Sequence, residues 1–317
     1  KIQITNSQLS EGIIITDIVL RTTYGNLVEV PIKIDIMDFR FIDDTVRVID
    51  IGTTALTPTV NNNVASLEFD RTNKTVKVLD GGDNTAASAR LPKALIVPHA
   101  GYAYSGAVAA AAYRTLDHVA AASIRHVVLL GPSHRVKMRG LALPSCDHFS
   151  TPFGQVRVND EGRRRLRELG LAGIADAPHA LEHSLEVQVP FLQSVLTNFD
   201  LLPIAVGLAP PEQVGRALEA VWGGPETLIV VSSDLSHHHT HIEAQALDQQ
   251  TARCIVERHS DLSESQACGA DSINGLMEVA RHRDLEVRLL DRRTSGDTAG
   301  DSQRVVGYGS FALYARD

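Results

Sequence analysis

The chain has 317 residues, long enough for two domains, and its 44% hydrophobic and 21% charged content is that of a globular protein rather than a disordered or fibrous one. A formal net charge of -8 argues against a nucleic-acid partner. No apolar run reaches the roughly 18 residues that suggest a membrane span.

The first 82 residues read as a small β-rich domain. They contain no histidine and only two alanines, Ala55 and Ala65, and are rich in Ile, Val, Thr, Asn and Asp. Strands are expected at Ile13–Leu20, Leu27–Ile36, Thr45–Ile51, Ala65–Phe69 and Lys74–Leu79, with Asp70–Lys74 as a hairpin turn. Val28, Val30, Ile32, Ile34 and Ile36 alternate with polar residues and Pro31, the pattern of one buried and one wet face. This region carries no chemical constellation and reads as a structural or interaction module, or as an appended segment. The opening KIQITNSQLSEG does not resemble a signal peptide, and because the chain starts at Lys1 rather than Met, a longer natural N-terminus is expected. Gly81 to Asn84 punctuate a change in composition, so residues 83–90 are read as a linker.

From Leu91 to Asp317 strands and helices alternate. Apolar strands are expected at Ala94–Pro98, His126–Leu130, Leu201–Val206 and Leu228–Val231, and closing strands at Glu286–Asp291 and Val305–Tyr314. Helices are expected at Gly106–Leu116, Asn159–Leu169, Ser184–Leu196, Pro211–Val221, Ile242–Glu257 and Asp271–Ala280. Pro190 implies that the third of these is kinked or starts late. The expected fold is therefore α/β, a mostly parallel or mixed central sheet with helices on both faces, preceded by the small all-β segment.

All 13 histidines lie from His99 onward. Three strands each deliver one just past their C-terminal end: His99, His134 and His237. In open α/β sheets ligands bind at that edge. Neutral imidazole is a ligand for iron, copper and zinc, so His99 and His134 are read as a shared site rather than as loop histidines bonded to backbone. Asp234, three residues before His237, is placed to accept its Nδ1–H, leaving His237 as general acid/base or ligand. His238, His239 and His241 read as bystanders. Cys268, next to a helix start, could have a lowered pKa and act as thiolate ligand or nucleophile, or be a small loop residue. Cys146 and Cys254 read as structural. With no CxxC pair, the odd, sparse cysteine set implies a cytoplasmic protein. Glu182 and His183 precede an apolar helix and could cap it, support the site or touch substrate. Tyr102 and Ser133, beside the first two histidines, are expected at the site in the same supporting or substrate role. Neither HExxH, GxGxxG, a P-loop nor GxSxG is present.

Residues 91–317 resemble the Memo family, the Memo-like protein of AmmeMemoRadiSam gene sets. The matching pieces, in order, are PHAGYAYSG, GPSH, TPFG, EHSLEVQVPFL, SSDLSH, ACG, GDTAGD and VVGYGS. That family is similar in fold to class III extradiol dioxygenases, and some members bind iron or copper. The resemblance implies His99, His134 and Cys268 as metal ligands, Fe(II) or copper as cofactor, and Asp234 and His237 beside them. Class III dioxygenases use two histidines and a carboxylate, and a softer cysteine favours Cu(I) as well. The usual N-terminal Ala-Gly-Ser/Thr-Phe-Tyr-Pro-like segment is replaced here by residues 1–82. Part of the usual site wall is then missing, replaced or supplied by another chain. The expected function is metal-dependent redox or oxygenase-like chemistry on a small molecule or a protein-bound group. The alternatives are a module that binds a peptide or a radical-SAM protein of the same gene set, and a metal-assisted hydrolase.

Overall fold

The computed structural model describes residues 91–116, 122–298 and 302–316, and six short strands between Ile2 and Leu79. Cα packing divides the chain into two compact units, Lys1–Ala87 and Ser88–Asp317. In the first unit β1 (Ile2–Ile4) pairs antiparallel with β2 (Ile18–Leu20), β3 (Thr59–Val60) with β4 (Asn63–Val64), and β5 (Ser66–Asp70) with β6 (Thr75–Leu79). The strand expectations at Leu27–Ile36 and Thr45–Ile51, the turn residues 71–74 and the linker 83–90 lie outside the described residues.

The second unit is α/β. In chain order it runs β7 (Ala94–Val97), α1 (Tyr102–Tyr113), β8 (His126–Pro132), β9 (Leu141–Leu143), β10 (His148–Thr151), β11 (Gly154–Arg157), α2 (Asp160–Glu168), β12 (Gly173–Ile174), α3 (Ala177–Ala180) and α4 (Gln188–Val195). It continues through β13 (Asp200–Val206), α5 (Pro211–Ala220), β14 (Thr227–Ser232), β15 (His237–His239), α6 (His241–Val256), α7 (Ala270–His282), β16 (Glu286–Thr294), α8 (Ser295–Thr298) and β17 (Val305–Tyr314). The main sheet has the order β12-β9-β13-β8-β14-β7-β17-β15, with β16 also on β17. Its middle, β13-β8-β14-β7, is parallel, and β9 and β17 close it antiparallel on either side. The hairpin β10-β11 stands apart.

Every residue of β7 and β14 is buried, because helices cover both faces of the sheet. Leu95, Val97, Leu129 and Val230 pack with Ala109, Tyr113, Val189 and Leu192 from α1 and α4. Ile96, Leu130, Ile229 and Val231 pack on the other face with Val214 and Leu218 of α5, Ala252 of α6, and Ile273 and Leu276 of α7. Strand alternation therefore divides the core into two layers.

Local signals explain the helix starts. Asn159 caps α2, its side chain accepting from Gly162 N at 2.5 Å. Thr240 and Glu243 form a capping box at α6. The helix α4 starts at Gln188, so Pro190 falls in the first turn, where its missing N–H has no intrahelical partner to lose. The late start, not a kink, resolves that sequence expectation. The alanine-rich α1 begins at Tyr102, ahead of the expected Gly106. Among the described residues no helix is long and apolar enough to cross a membrane.

The helices α5 and α7 meet at Gly275, where an added Cβ would sit 2.3 Å from Val214 Cβ. Gly275→Ala is expected to destabilise the fold by about 1–3 kcal/mol, since the helices must separate to admit the methyl. Urea unfolding reads this as a lower midpoint with unchanged slope. An unchanged midpoint would show that this contact is slack.

Because β14 lies between β7 and β8, the loops after these three neighbours meet at one edge. That is the structural reason His99, His134 and the segment after Ser232 come together.

Candidate metal centre

His99 follows β7 through the turn at Pro98. Asp234, beyond β14, holds that turn: its Oδ1 accepts the backbone N–H of His99 at 2.8 Å and of Ala100 at 3.3 Å. The His99 ring is buried, with Nδ1 2.9 Å from Ser232 Oγ and Nε2 3.4 Å from Cys268 Sγ. Burial, followed by the neighbouring histidines His134 and His183, pushes its pKa well below the ordinary imidazole value. His99 is therefore neutral near pH 7.

His134 follows β8 and is anchored by Glu182. Oε2 accepts its backbone N–H at 2.5 Å, and Oε1 lies 3.0 Å from Nδ1. The same Oε1 accepts the N–H of His183 at 2.9 Å and of Ser184 at 3.0 Å. Burial works against the charge of Glu182, but the hydrogen bonds from His134 and Ser184 outweigh it and hold the carboxyl well below the usual range. An ionised Glu182 can only accept, so His134 carries a proton on Nδ1, and its neutral ring would offer Nε2 as the free donor atom.

Cys268 sits just before α7. Gly269 lets this loop close on Ser233: a Cβ there would lie 2.7 Å from Ser233 Cβ, and Gly269 N–H donates to Ser233 Oγ at 2.9 Å. The Asp234 N–H donates to Cys268 Sγ at 3.3 Å. The helix start does not lower the thiol pKa, as the sequence alone suggested it could. Burial, with the Asp234 carboxylate adding to it, pushes the thiol up to about 12.

One donor atom from each of His99, His134 and Cys268 lies within 4.8 Å of the others. His183 joins from the α4 side. Its ring is 5.5 Å from that of His99 and 5.4 Å from that of His134, and its Nδ1 is 3.3 Å from Glu182 Oε1. A second candidate donor group, His134, Glu182 and His183, shares this corner.

His237 departs from the sequence reading. Its Nδ1 lies 2.8 Å from Leu235 O, not on Asp234. The Asp234 Oδ1 is already occupied by the His99 and Ala100 backbone. Burial lowers the His237 pKa, and the Asp234 charge only partly offsets this, so His237 is a neutral imidazole rather than a stabilised imidazolium. Burial raises the pKa of Asp234 in turn. A carbonyl at Nδ1 fixes the proton there and leaves Nε2 as a base.

Of the remaining expected residues, Tyr102 is half exposed and donates from its hydroxyl to Val187 O at 3.0 Å. Ser133 donates to Val136 O at 2.7 Å, closing its own turn. His238 takes the left-handed conformation, φ 67°, where β15 meets β17 irregularly. His241 Nδ1 lies 2.8 Å from Thr294 Oγ1 and Nε2 3.4 Å from Asp297 Oδ1, so Asp297, in α8 where the GDTAGD loop begins, meets His241. Residues 299–301 of that loop lie outside the described residues. The sequence reading assigned no site role to Ser232, the buried partner of His99, or to Gln188, which bonds Ser232. Their signal was present: one hydroxyl ending an apolar strand, and one amide on the buried face of an apolar helix.

A family model described as Memo-like protein matches residues 70–312. The chain belongs to the Memo-like protein family. The Memo-like match reaches upstream of Leu91, into β5. A MEMO1 family protein of Sulfolobus acidocaldarius is 34% identical over 231 residues, 67% of this chain and 79% of the relative. One from Aquifex aeolicus is 34% identical over 229 residues, 68% of this chain and 84% of the relative. Among solved structures, an uncharacterized protein, JW3007, from Escherichia coli K12 aligns with a TM-score of 0.45 at 13% identity, covering 69% of this chain and 99% of that one.

Proposed function

We propose that this Memo-like protein holds one iron or copper ion between His99 Nε2, His134 Nε2 and Cys268 Sγ. Its activity is redox or oxygen chemistry on a small molecule or a protein-bound group, in the cytoplasm. The observation that supports this best is the convergence of two imidazoles, each with a hydrogen-bond partner at Nδ1, beside one thiol. The donor set suits the ion: imidazole and thiolate are borderline-to-soft ligands that favour copper, iron or zinc over magnesium or calcium. A bound iron or copper would supply one-electron and oxygen chemistry.

The chain's own residues have distinct tasks around it. Cys268 gives up its proton to become a ligand. Glu182 orients His134 through its backbone N–H and Nδ1. Asp234 pins the His99 turn. His237, neutral and with Nε2 bare, accepts a proton from the reacting group.

The test is metal analysis of anaerobically purified protein, with absorption spectra before and after oxygen exposure. Stoichiometric iron or copper, a thiolate-to-metal band and a spectral change on oxygen exposure are expected. Zinc as the resident ion with no response to oxygen would replace this reading with metal-assisted hydrolysis. A chain that takes up no metal would leave a peptide- or partner-binding module.

A further inference from the structure

We infer that Ser232, held by Gln188, is a positioning residue that fixes His99 as its Nδ1–H tautomer and so aims a bare Nε2 at Cys268 Sγ. The inference concerns the protein's own proton arrangement, and its link to metal affinity rests on the reading above.

Two backbone carbonyls determine the direction of every hydrogen bond in this buried chain. Pro98 O can only accept, so the end of the Gln188 amide facing it at 2.8 Å is the NH2 group. That same Nε2 is 2.9 Å from Ser232 Oγ, and Tyr113 OH meets Oε1 at the other end at 3.0 Å. Ser232 Oγ therefore accepts from Gln188. Ser184 O, 2.6 Å from Ser232 Oγ, can likewise only accept, so the single hydroxyl proton of Ser232 points there. Serine has one proton and two lone pairs. One lone pair is taken by Gln188, and the other faces His99 Nδ1 at 2.9 Å. Only a protonated Nδ1 completes the set.

The opposite tautomer would place two unprotonated acceptors, Nδ1 and Oγ, in contact, or would turn the hydroxyl away and leave Ser184 O against a bare oxygen. Ser184, Gln188 and Ser232 are fully buried, so water does not repair either arrangement. The two candidate histidine ligands are thus set by different devices. His134 is oriented by an ionised carboxylate. His99 is oriented by a neutral hydroxyl, which adds no charge beside the buried Asp234.

The experiment uses the metal-free full chain with nitrogen-15 histidine and a long-range proton–nitrogen correlation near neutral pH. His99, assigned by its loss in His99→Gln, is expected to show a protonated Nδ1 and a bare Nε2. A protonated Nε2 overturns the inference. In Ser232→Ala, His99 is expected to become a mixture of tautomers, and Fe(II) affinity to fall about 10- to 100-fold, as for other lost partners of metal-bound histidine. The far-ultraviolet circular dichroism should stay that of the wild type. A Ser232→Ala chain that keeps a pure Nδ1–H tautomer and wild-type Fe(II) affinity also overturns it. If that variant does not fold, the wild-type spectrum alone decides. A wild-type chain that shows the Nδ1–H tautomer but takes up no metal upholds this inference while removing the metal reading.

Discussion

Replacing Cys268 with alanine is expected to cost the protein its metal. The loss should exceed the roughly 100-fold upper end seen when a metal-bound histidine loses an outer partner, because here a ligand itself is removed. The argument rests on protons as well as geometry. With its thiol pushed up to about 12, Cys268 is fully protonated near neutral pH in the metal-free chain. A metal that binds sulfur must displace that proton. Wild-type affinity is therefore expected to rise about tenfold per pH unit while the imidazoles stay neutral, with one proton released per ion bound. His99 does not complicate this, since burial keeps it neutral well below the ordinary imidazole range. In Cys268→Ala both the affinity and its pH slope should vanish together. The fold should survive, because the variant gives up only weak contacts to sulfur, from the Asp234 N–H and carbonyl, His99 Nε2 and Ser233 Oγ. Chelator competition across neutral pH and proton release in weak buffer measure both quantities. Metal retained at wild-type affinity in Cys268→Ala, or a flat slope in the wild type, would remove Cys268 from the ligand set.

The central sheet was legible because its strands are buried on both faces. Ala94–Val97 and Leu228–Val231 read as unbroken apolar runs for that reason. The hairpin β10-β11 and the short β12 were not legible, since their residues are mostly exposed and carry no long apolar pattern. At the site, His99 and His134 could be read from their place after two strands. What sequence spacing could not convey is competition for acceptors. The three-residue step from Asp234 to His237 suggested a hydrogen bond between them. In the folded chain the His99 and Ala100 backbone amides, more than 130 residues earlier in sequence, take Oδ1 of that carboxylate, and His237 Nδ1 turns to Leu235 O. The same holds for Cys268: its helix-start position pointed to a lowered pKa, and burial beside Asp234 reverses the sign. Local sequence shows which groups are near the chemistry. Long-range partners decide their protonation.

His237→Ala is expected to leave metal bound and to lower oxygen-linked turnover by about 10²- to 10⁴-fold, the range for losing a general base. His237 is half-buried, carries its proton on Nδ1 against Leu235 O, and sits within electrostatic reach of His134 and Asp234. It is not in the convergent donor set of His99, His134 and Cys268. Its pH signature has a definite sign. A base must be unprotonated to act, so activity is present above its pKa and lost as pH falls through it. Burial places that pKa below the ordinary imidazole value of about 6.5. The acid limb of the wild-type rate profile should therefore lie below that value, and it should be absent from the residual activity of His237→Ala. A limb displaced above the ordinary value would instead indicate an imidazolium stabilised by Asp234, with the hydrogen bond to Leu235 O replaced during turnover. His239→Ala, on the same short strand, is the control and should change neither metal content nor rate. Equal losses in both variants would trace the effect to β15 as a whole. Metal lost along with activity in His237→Ala alone would make His237 a ligand. Unchanged metal content and unchanged turnover would end its catalytic assignment.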